Sequence, residues 1–295
     1  MNGTYDAGPL FVLNHTWAKW MLIALGVGIA LGLWRLLFRR PAQPYDPRTA
    51  TIKRHAGGIA LAHWINAVGF ILALYSGASL VHVLPRSLSE VALYKLHYVG
   101  LSLILLSLLA VATHRFVYGG HSFRFTAADA RAAFSELFVY AGLVGDEGIL
   151  GFRALQWPAA WRRGTEKALG AHATHRTGKY LPTEQVLSLL PWIIVMGAIV
   201  ATGLIKGLRY LVPIPRGVLG VATIIHDWGV YAGAFMLVVH VAALVVVRTN
   251  WPLFISMFTT RVPARYAAER HPAWYKDVVS KSRPQKAEEP AVRRV

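Results

Sequence analysis

Hydrophobic residues in this chain gather into five long runs, and polar residues are concentrated in the stretches between them. The runs extend from Trp17 to Phe38, Gly58 to Val81, Val91 to Thr113, Val186 to Ile205 and Val218 to Val247. Each approaches or exceeds the ~20 apolar residues that cross a hydrocarbon core as a helix, and the longest is expected to tilt or protrude. The pattern predicts an all-α integral membrane protein with five spans. Residues 1–57 read as an N-terminal anchor helix and its linker, 58–247 as a four-helix unit, and 248–295 as a basic tail. A long loop, residues 115–185, separates the third span from the fourth. Within it Ala132, Phe134, Leu137 and Phe138 have the spacing of a short amphipathic helix lying on a membrane surface. The stretch from Arg40 to Pro47, with Pro41, Pro44 and Pro47, predicts an extended connector.

Composition agrees with a lipid environment: 55% of residues are hydrophobic and only 15% charged. A soluble domain of this length needs more charge on its surface. The net charge of +17 changes the picture only through its distribution. Of the 31 Lys and Arg, five lie in residues 39–62, nine in 115–179 and ten from Arg248 onward. These three segments fall on one side of a five-span chain, and the positive-inside rule makes that side cytoplasmic. The N-terminus is then outside and the C-terminus inside. Arg35, Arg39 and Arg40 sit at the inner end of the first span, the reverse of a cleaved signal peptide, which makes this span a retained anchor. A charge so tied to membrane flanks gives no footprint for nucleic acid. The glycosylation triplets at Asn2 and Asn14 carry no weight.

The chain has no cysteine. That excludes c-type haem attachment, cysteine-ligated iron–sulfur clusters, disulfides and a thiolate nucleophile. Any redox cofactor is then held by histidine or noncovalently. His226 and His240 lie 14 residues apart on the last span, just under four turns, so they share a face about 21 Å apart along the axis. His63, early in the second span, is level with His240. His97, early in the third, is level with His226. Topology alone therefore predicts two pairs, His97 with His226 at the outer side and His63 with His240 at the inner side, each able to saturate the iron of one haem b. A lone histidine in an apolar helix is more often a packed, hydrogen-bonded residue; four at paired depths, in a medium where ionisable groups are costly, point to function. Gly100, Gly229 and Gly233 would let a flat macrocycle approach the backbone, with close helix packing as the competing explanation.

Other polar groups rank lower. His114 lies 17 residues after His97, rotated about 100° off that face, and reads as an interfacial residue. His55, His121, His172, His175 and His271 fall in basic inner segments and His15 and His82 outside, where solvated side chains are the default. Asp227 is expected to pair with Arg209 or Arg216.

These same residues resemble the membrane-anchoring cytochrome b (gamma) subunit of respiratory formate dehydrogenases and the related hydrogenase and thiosulfate reductase cytochromes. The likeness covers about His55 to Val278. It rests on His63-Trp64, Leu96-His97 with Gly100, Gly178-Lys179-Tyr180, Thr202-Gly203, the His226 and His240 pair, and His271-Pro272-Ala273-Trp274-Tyr275. The resemblance implies a four-helix di-haem bundle plus an extra N-terminal helix, with His63, His97, His226 and His240 as axial ligands. It also implies a periplasmic iron–sulfur subunit, a separate catalytic subunit, and a quinone, menaquinone or ubiquinone, reduced near the cytoplasmic face. The quinone region would include Lys179 and Tyr180. Where the family continues with an Asn-Ala-Gly-Gln type sequence, this chain has Leu181, Pro182, Thr183 and Glu184, leaving Glu184 or Gln185 to stand in for an amide. Two other classes compete: a proton-relay transporter, which predicts broken helices and inverted repeats, and a cofactor-free membrane anchor.

Overall fold

The structure, a computed structural model, describes residues 9–39, 45–118, 126–169 and 178–282. The Asn2 triplet, residues 40–44 of the connector, His121, His172, His175 and the end of the tail lie outside the described residues. Among the described residues, five helices are long and apolar enough to cross a membrane: α1 (Pro9–Leu33), α2 (Gly57–Leu80), α3 (Glu90–Tyr118), the helical segment Glu184–Leu208, whose α-helical part from Leu190 is taken up below, and Arg216–Val245. Their outer faces stay apolar and open, with Trp20, Ile71, Ile194, Trp228, Phe235 and Val238 each more than half exposed. Helices of such hydropathy would hide these faces in water. The chain is a multi-pass membrane protein.

Helix α1 starts well before Trp17, where hydropathy alone put it. Asn14, His15 and Thr16 dilute the apolar run, but helical geometry satisfies two of them. Thr16 Oγ1 donates to Val12 O at 2.9 Å and Asn14 Nδ2 to Leu10 O at 2.7 Å. Asn14 also accepts from the Tyr98 hydroxyl of α3 at 2.9 Å, a buried polar link between the helices. Further along, Gly28 and Gly32 face α3 so closely that an added Cβ would lie 2.9 Å from Leu105 O and 2.6 Å from Ala110 O. Small residues one turn apart let two backbones touch, the usual basis of helix association in lipid. Helix α1 ends at a 3-10 turn, Arg35–Phe38.

Helices α2 and α3 cross at Gly69 and Gly100. A Cβ on Gly100 would sit 2.6 Å from Gly69 O and 2.7 Å from Ala73 N. Gly100 therefore serves helix packing, and the space it opens is filled by backbone rather than left for a macrocycle. Helix α4 (Ala127–Tyr140) occupies the predicted amphipathic stretch and opens with a reciprocal cap, Thr126 accepting from Asp129 N while Asp129 accepts from Thr126 N. Helix α5 (Ala159–Leu169) follows it. A π turn, Glu184–Leu189, leads into α6 (Leu190–Leu208), and α7 (Arg216–Val245) runs back beside it. At 30 residues α7 is about 45 Å long, more than the ~30 Å of hydrocarbon.

Phe70 of α2, Ile104 of α3 and Met196 of α6 form a buried layer at mid-height, with Leu74, Trp192 and Leu237 packed on it. Gly229 and Gly233 on α7 receive side chains here: a Cβ would meet Ile199 Cγ1 at 2.6 Å and Phe70 Cζ at 3.0 Å.

Residues read as linker and tail fold together at one end of the bundle. Strands β1 (Tyr45–Asp46), β2 (Thr51–Lys53) and β3 (Arg261–Pro263) make a small antiparallel sheet, with Ile52 opposite Val262. Helices α8 (Trp251–Thr259), α9 (Ala264–Arg270) and α10 (Pro272–Ser282) pack around it. Ile52, Leu181, Leu253, Val262, Ala267 and Val278 are buried between them. This cap closes the end of the bundle where α2 begins and α7 ends.

Candidate metal centres in the helix bundle

The four predicted histidines are brought together in the predicted pairs. His97 on α3 and His226 on α7 have ring centroids 6.0 Å apart, near the α2–α3 and α6–α7 turns. His63 on α2 and His240 on α7 have centroids 6.2 Å apart, near the cap. Two imidazoles bound to one metal at roughly 2.0 Å, each with its ring centre about 1.1 Å beyond the nitrogen, have centroids about 6 Å apart. Both pairs have that spacing, and the Phe70 layer lies between them.

Distance alone would also suit two packed rings; hydrogen bonding adds the tautomer of both rings at the first pair. His97 Nδ1 lies 3.1 Å from Ala73 O and 3.1 Å from Ser76 Oγ on α2. Ser76 places its own proton on Leu72 O at 2.7 Å. Both neighbours of the ring nitrogen therefore accept, and Nδ1 carries the proton. His226 repeats the arrangement on α6: Nδ1 lies 3.0 Å from Ile199 O and 3.3 Å from Thr202 Oγ1, while Thr202 donates to Ala198 O at 2.6 Å. A neutral imidazole protonated at Nδ1 has its lone pair on Nε2. Each ring is thus fixed in the tautomer that a metal ligand needs, with its far nitrogen held by the protein.

A glycine seats each ring. A Cβ on Gly203 would come 2.9 Å from His226 Cε1, and one on Gly77 3.4 Å from His97 Cε1. The carbonyl, the hydroxyl three residues on and the next glycine recur as Ala73-Ser76-Gly77 and Ile199-Thr202-Gly203. Thr202-Gly203 was singled out from the sequence; Ser76-Gly77 was missed. The signal for it was a hydroxyl followed by glycine near the end of a span, one of several such small-residue pairs. At the second pair, His240 stands 6.2 Å from Trp192 and His63 5.4 Å from Trp64, whose indole donates to Met257 O at 3.0 Å. Among the described residues no hydrogen bond reaches a ring nitrogen of His63 or His240.

Comparison of the chain with protein-family models, curated proteins and solved structures gives no match.

Among the described residues no three His, Cys, Asp or Glu side chains gather as a metal cluster; the histidine arrangement is two separate pairs. Bis-imidazole ligation of a planar iron macrocycle requires two ligands per metal, so the donor set fits haem.

The remaining predicted residues have other partners. Asp227 pairs with Lys206 Nζ at 2.9 Å rather than with Arg209 or Arg216, because Lys206 is on the facing turn of α6. His114 packs against Phe38 and Tyr118 at 4.6 and 5.2 Å. Glu184 accepts from Arg54 Nη2 through both oxygens, at 2.9 and 3.0 Å, and from Leu181 N at 2.7 Å. Gln185 donates to Tyr180 O at 3.2 Å, and the Tyr180 hydroxyl accepts from Arg115 at 2.8 Å. Lys179 lies over the Tyr180 ring. Glu184 thus closes a latch between the start of α6 and the chain before α2.

His271, expected to be solvated, is fully buried in the same latch. Its Nε2 faces Arg54 Nη1 at 3.2 Å and its Nδ1 donates to Gly178 O at 2.9 Å. Arginine can only donate, so His271 is neutral with its proton on Nδ1. Burial, and then the Arg54 charge, push its pKa down to about 4. Beside it, Arg270 bridges Glu136 at 3.0 Å and Glu147 at 3.1 Å, and Thr183 N and Oγ1 donate to Glu136. Burial raises the Glu136 pKa against the pull of Arg270.

Proposed function

We propose that the chain is a membrane-anchoring di-haem cytochrome b, the electron-carrying subunit of a respiratory oxidoreductase complex of the formate dehydrogenase type. The observation that supports this best is the two histidine pairs at metal-bridging distance, one at each end of the bundle. Bound between the imidazoles, two haems b would supply one-electron transfer without an open site for oxygen chemistry. The protein's part is to hold the rings in the right tautomer and spacing, exclude water with the Phe70 layer, and present one pair toward each membrane face.

In this reading His97 and His226 lie near the periplasm, where an iron–sulfur partner docks, and His63 and His240 lie near the cytoplasm. The basic loop and cap support that orientation, and the membrane we propose is a bacterial inner membrane. An electron crossing from outer to inner pair moves against an energised membrane, at a cost of about 2.3 kcal/mol per 100 mV. Quinone reduction beside the inner pair, in the region of Lys179, Tyr180 and Gln185, draws protons from the cytoplasm, so charge separation is conserved as potential. Glu184 shapes that region through Arg54 instead of facing the quinone. Substrate-bond chemistry belongs to the catalytic subunit.

The test is the visible spectrum of purified protein, oxidised and dithionite-reduced. Low-spin b-type bands for two haems per chain are expected, with one lost in His97→Ala and one in His63→Ala. A purified, folded chain without such bands would remove the cytochrome reading and leave the anchor or transporter.

A further inference from the structure

Beyond ligand identity, the two pairs differ in how the protein grips them. The Nδ1–H groups of His97 and His226 each point at a backbone carbonyl and a hydroxyl oxygen, four acceptors in all. The hydroxyls are oriented as acceptors because their own protons are committed to Leu72 O and Ala198 O one turn back. Ser76 is fully buried and Thr202 nearly so, and both lie inside spans, so water does not compete for these bonds. Among the described residues no such acceptor reaches His63 or His240.

We infer that Ser76 and Thr202 are positioning residues that lower the reduction potential of the outer haem through His97 and His226, relative to the inner haem. The inference rests on the haem reading above. An imidazole whose Nδ1–H is hydrogen-bonded is the stronger donor through Nε2, and a stronger donor favours ferric over ferrous iron. Acceptors on both ligands of one haem act in the same direction. With haems bound, a lower potential at the outer pair would make transfer of one electron toward the inner pair downhill, with no proton moved and no bond made. That offset works against the membrane potential which opposes this step. Lys206, paired with Asp227 at 2.9 Å beside His226, is a positive charge that opposes this effect, and it stays in place in every variant compared below, so a shift between them reports the hydroxyls.

The test is a spectroelectrochemical titration of the full chain, purified with whatever partners accompany it, comparing wild type, Ser76→Ala, Thr202→Val and the double variant. The expected result is two haem waves, of which the lower moves up in each single variant and further in the double, while the upper stays in place. Thr202→Ser, which keeps the hydroxyl, should restore the wild-type wave. The inference is overturned if the waves of haem-replete Ser76→Ala and Thr202→Val stay put, if both waves shift together, or if the upper wave alone moves. Absence of haem from wild type sinks the function itself, a distinct outcome.

Discussion

At Gly203 the difference between a hydrogen atom and a methyl group decides where the His226 ring can sit. A Cβ there would be 2.9 Å from Cε1, tighter than van der Waals contact allows, whereas at Gly77 the corresponding gap to His97 is 3.4 Å. Gly203→Ala should therefore displace His226 and reduce haem occupancy at that pair, while Gly77→Ala should be tolerated; reduced-minus-oxidised spectra of the two variants check this. The ring planes offer a second measurement. They stand 77° apart for His97 and His226 and 51° for His63 and His240. Crossed imidazole planes make low-spin ferric haem magnetically anisotropic, so electron paramagnetic resonance should give two distinct signals, with the more anisotropic one lost in His97→Ala. Two indistinguishable signals would mean that binding redraws the rings. Of the residues that shape the site, the histidines were legible because a polar ring in a span is conspicuous. Ser76 was not, because a hydroxyl in a membrane helix ordinarily bonds its own backbone, as Ser102 does to Tyr98 O at 2.8 Å.

Among the described membrane-spanning helices, α1 supplies neither a ring nor a hydrogen bond to the histidine pairs. Its Gly28 and Gly32 lie against α3, and Asn14 ties it to Tyr98, but it contributes no ring to either pair. Gly32→Val should force α1 away from Ala110 and Thr113, lowering the thermal stability of the purified protein on the order of 1–3 kcal/mol, with the haem spectrum unchanged. Loss of haem in that variant would show that α1 supports the four-helix unit. Gly100→Val is the contrasting case, because α2 and α3 carry one histidine of a pair each and cross at Gly69 and Gly100. It should cost both stability and haem. Hydropathy located every span, since lipid constrains helix length and composition directly. It misplaced the start of α1, because a window average cannot know that Asn14 and Thr16 satisfy themselves on the helix and on Tyr98.

For the whole molecule, the cap holds a buried histidine through which its stability should depend on pH. His271 is neutral and buried with a folded pKa of about 4, against an ordinary value of 6.5. The unfolded segment binds the extra proton first, so the His271 contribution is fully present above about pH 6.5 and is lost as pH falls toward 4. Its size is on the order of 3 kcal/mol. Hydrogen exchange of β2, β3 and α9 should therefore quicken between pH 6.5 and 4, and the drop should flatten in His271→Gln, which cannot take up the proton. Exchange that does not change with pH in that window would mean that Arg54 and Glu184 hold the latch without His271.

The sequence by itself determined the membrane class, the number of spans and the relative heights of the four histidines within the spans, because a bilayer imposes one length scale and one polarity on every helix crossing it. Depth and chain direction were enough to pair the rings. What only the tertiary structure decided are contacts between residues remote along the chain. Arg54 meets His271 across 217 residues and Glu184 across 130, joining linker, loop and tail into one cap that composition had read as separate solvated pieces. The tautomer of His97 and His226 was likewise decided in three dimensions, since it depends on which carbonyl of a neighbouring helix stands 3 Å from a ring nitrogen. Periodicity carries information about the face a residue occupies, and none about the atom it will touch there.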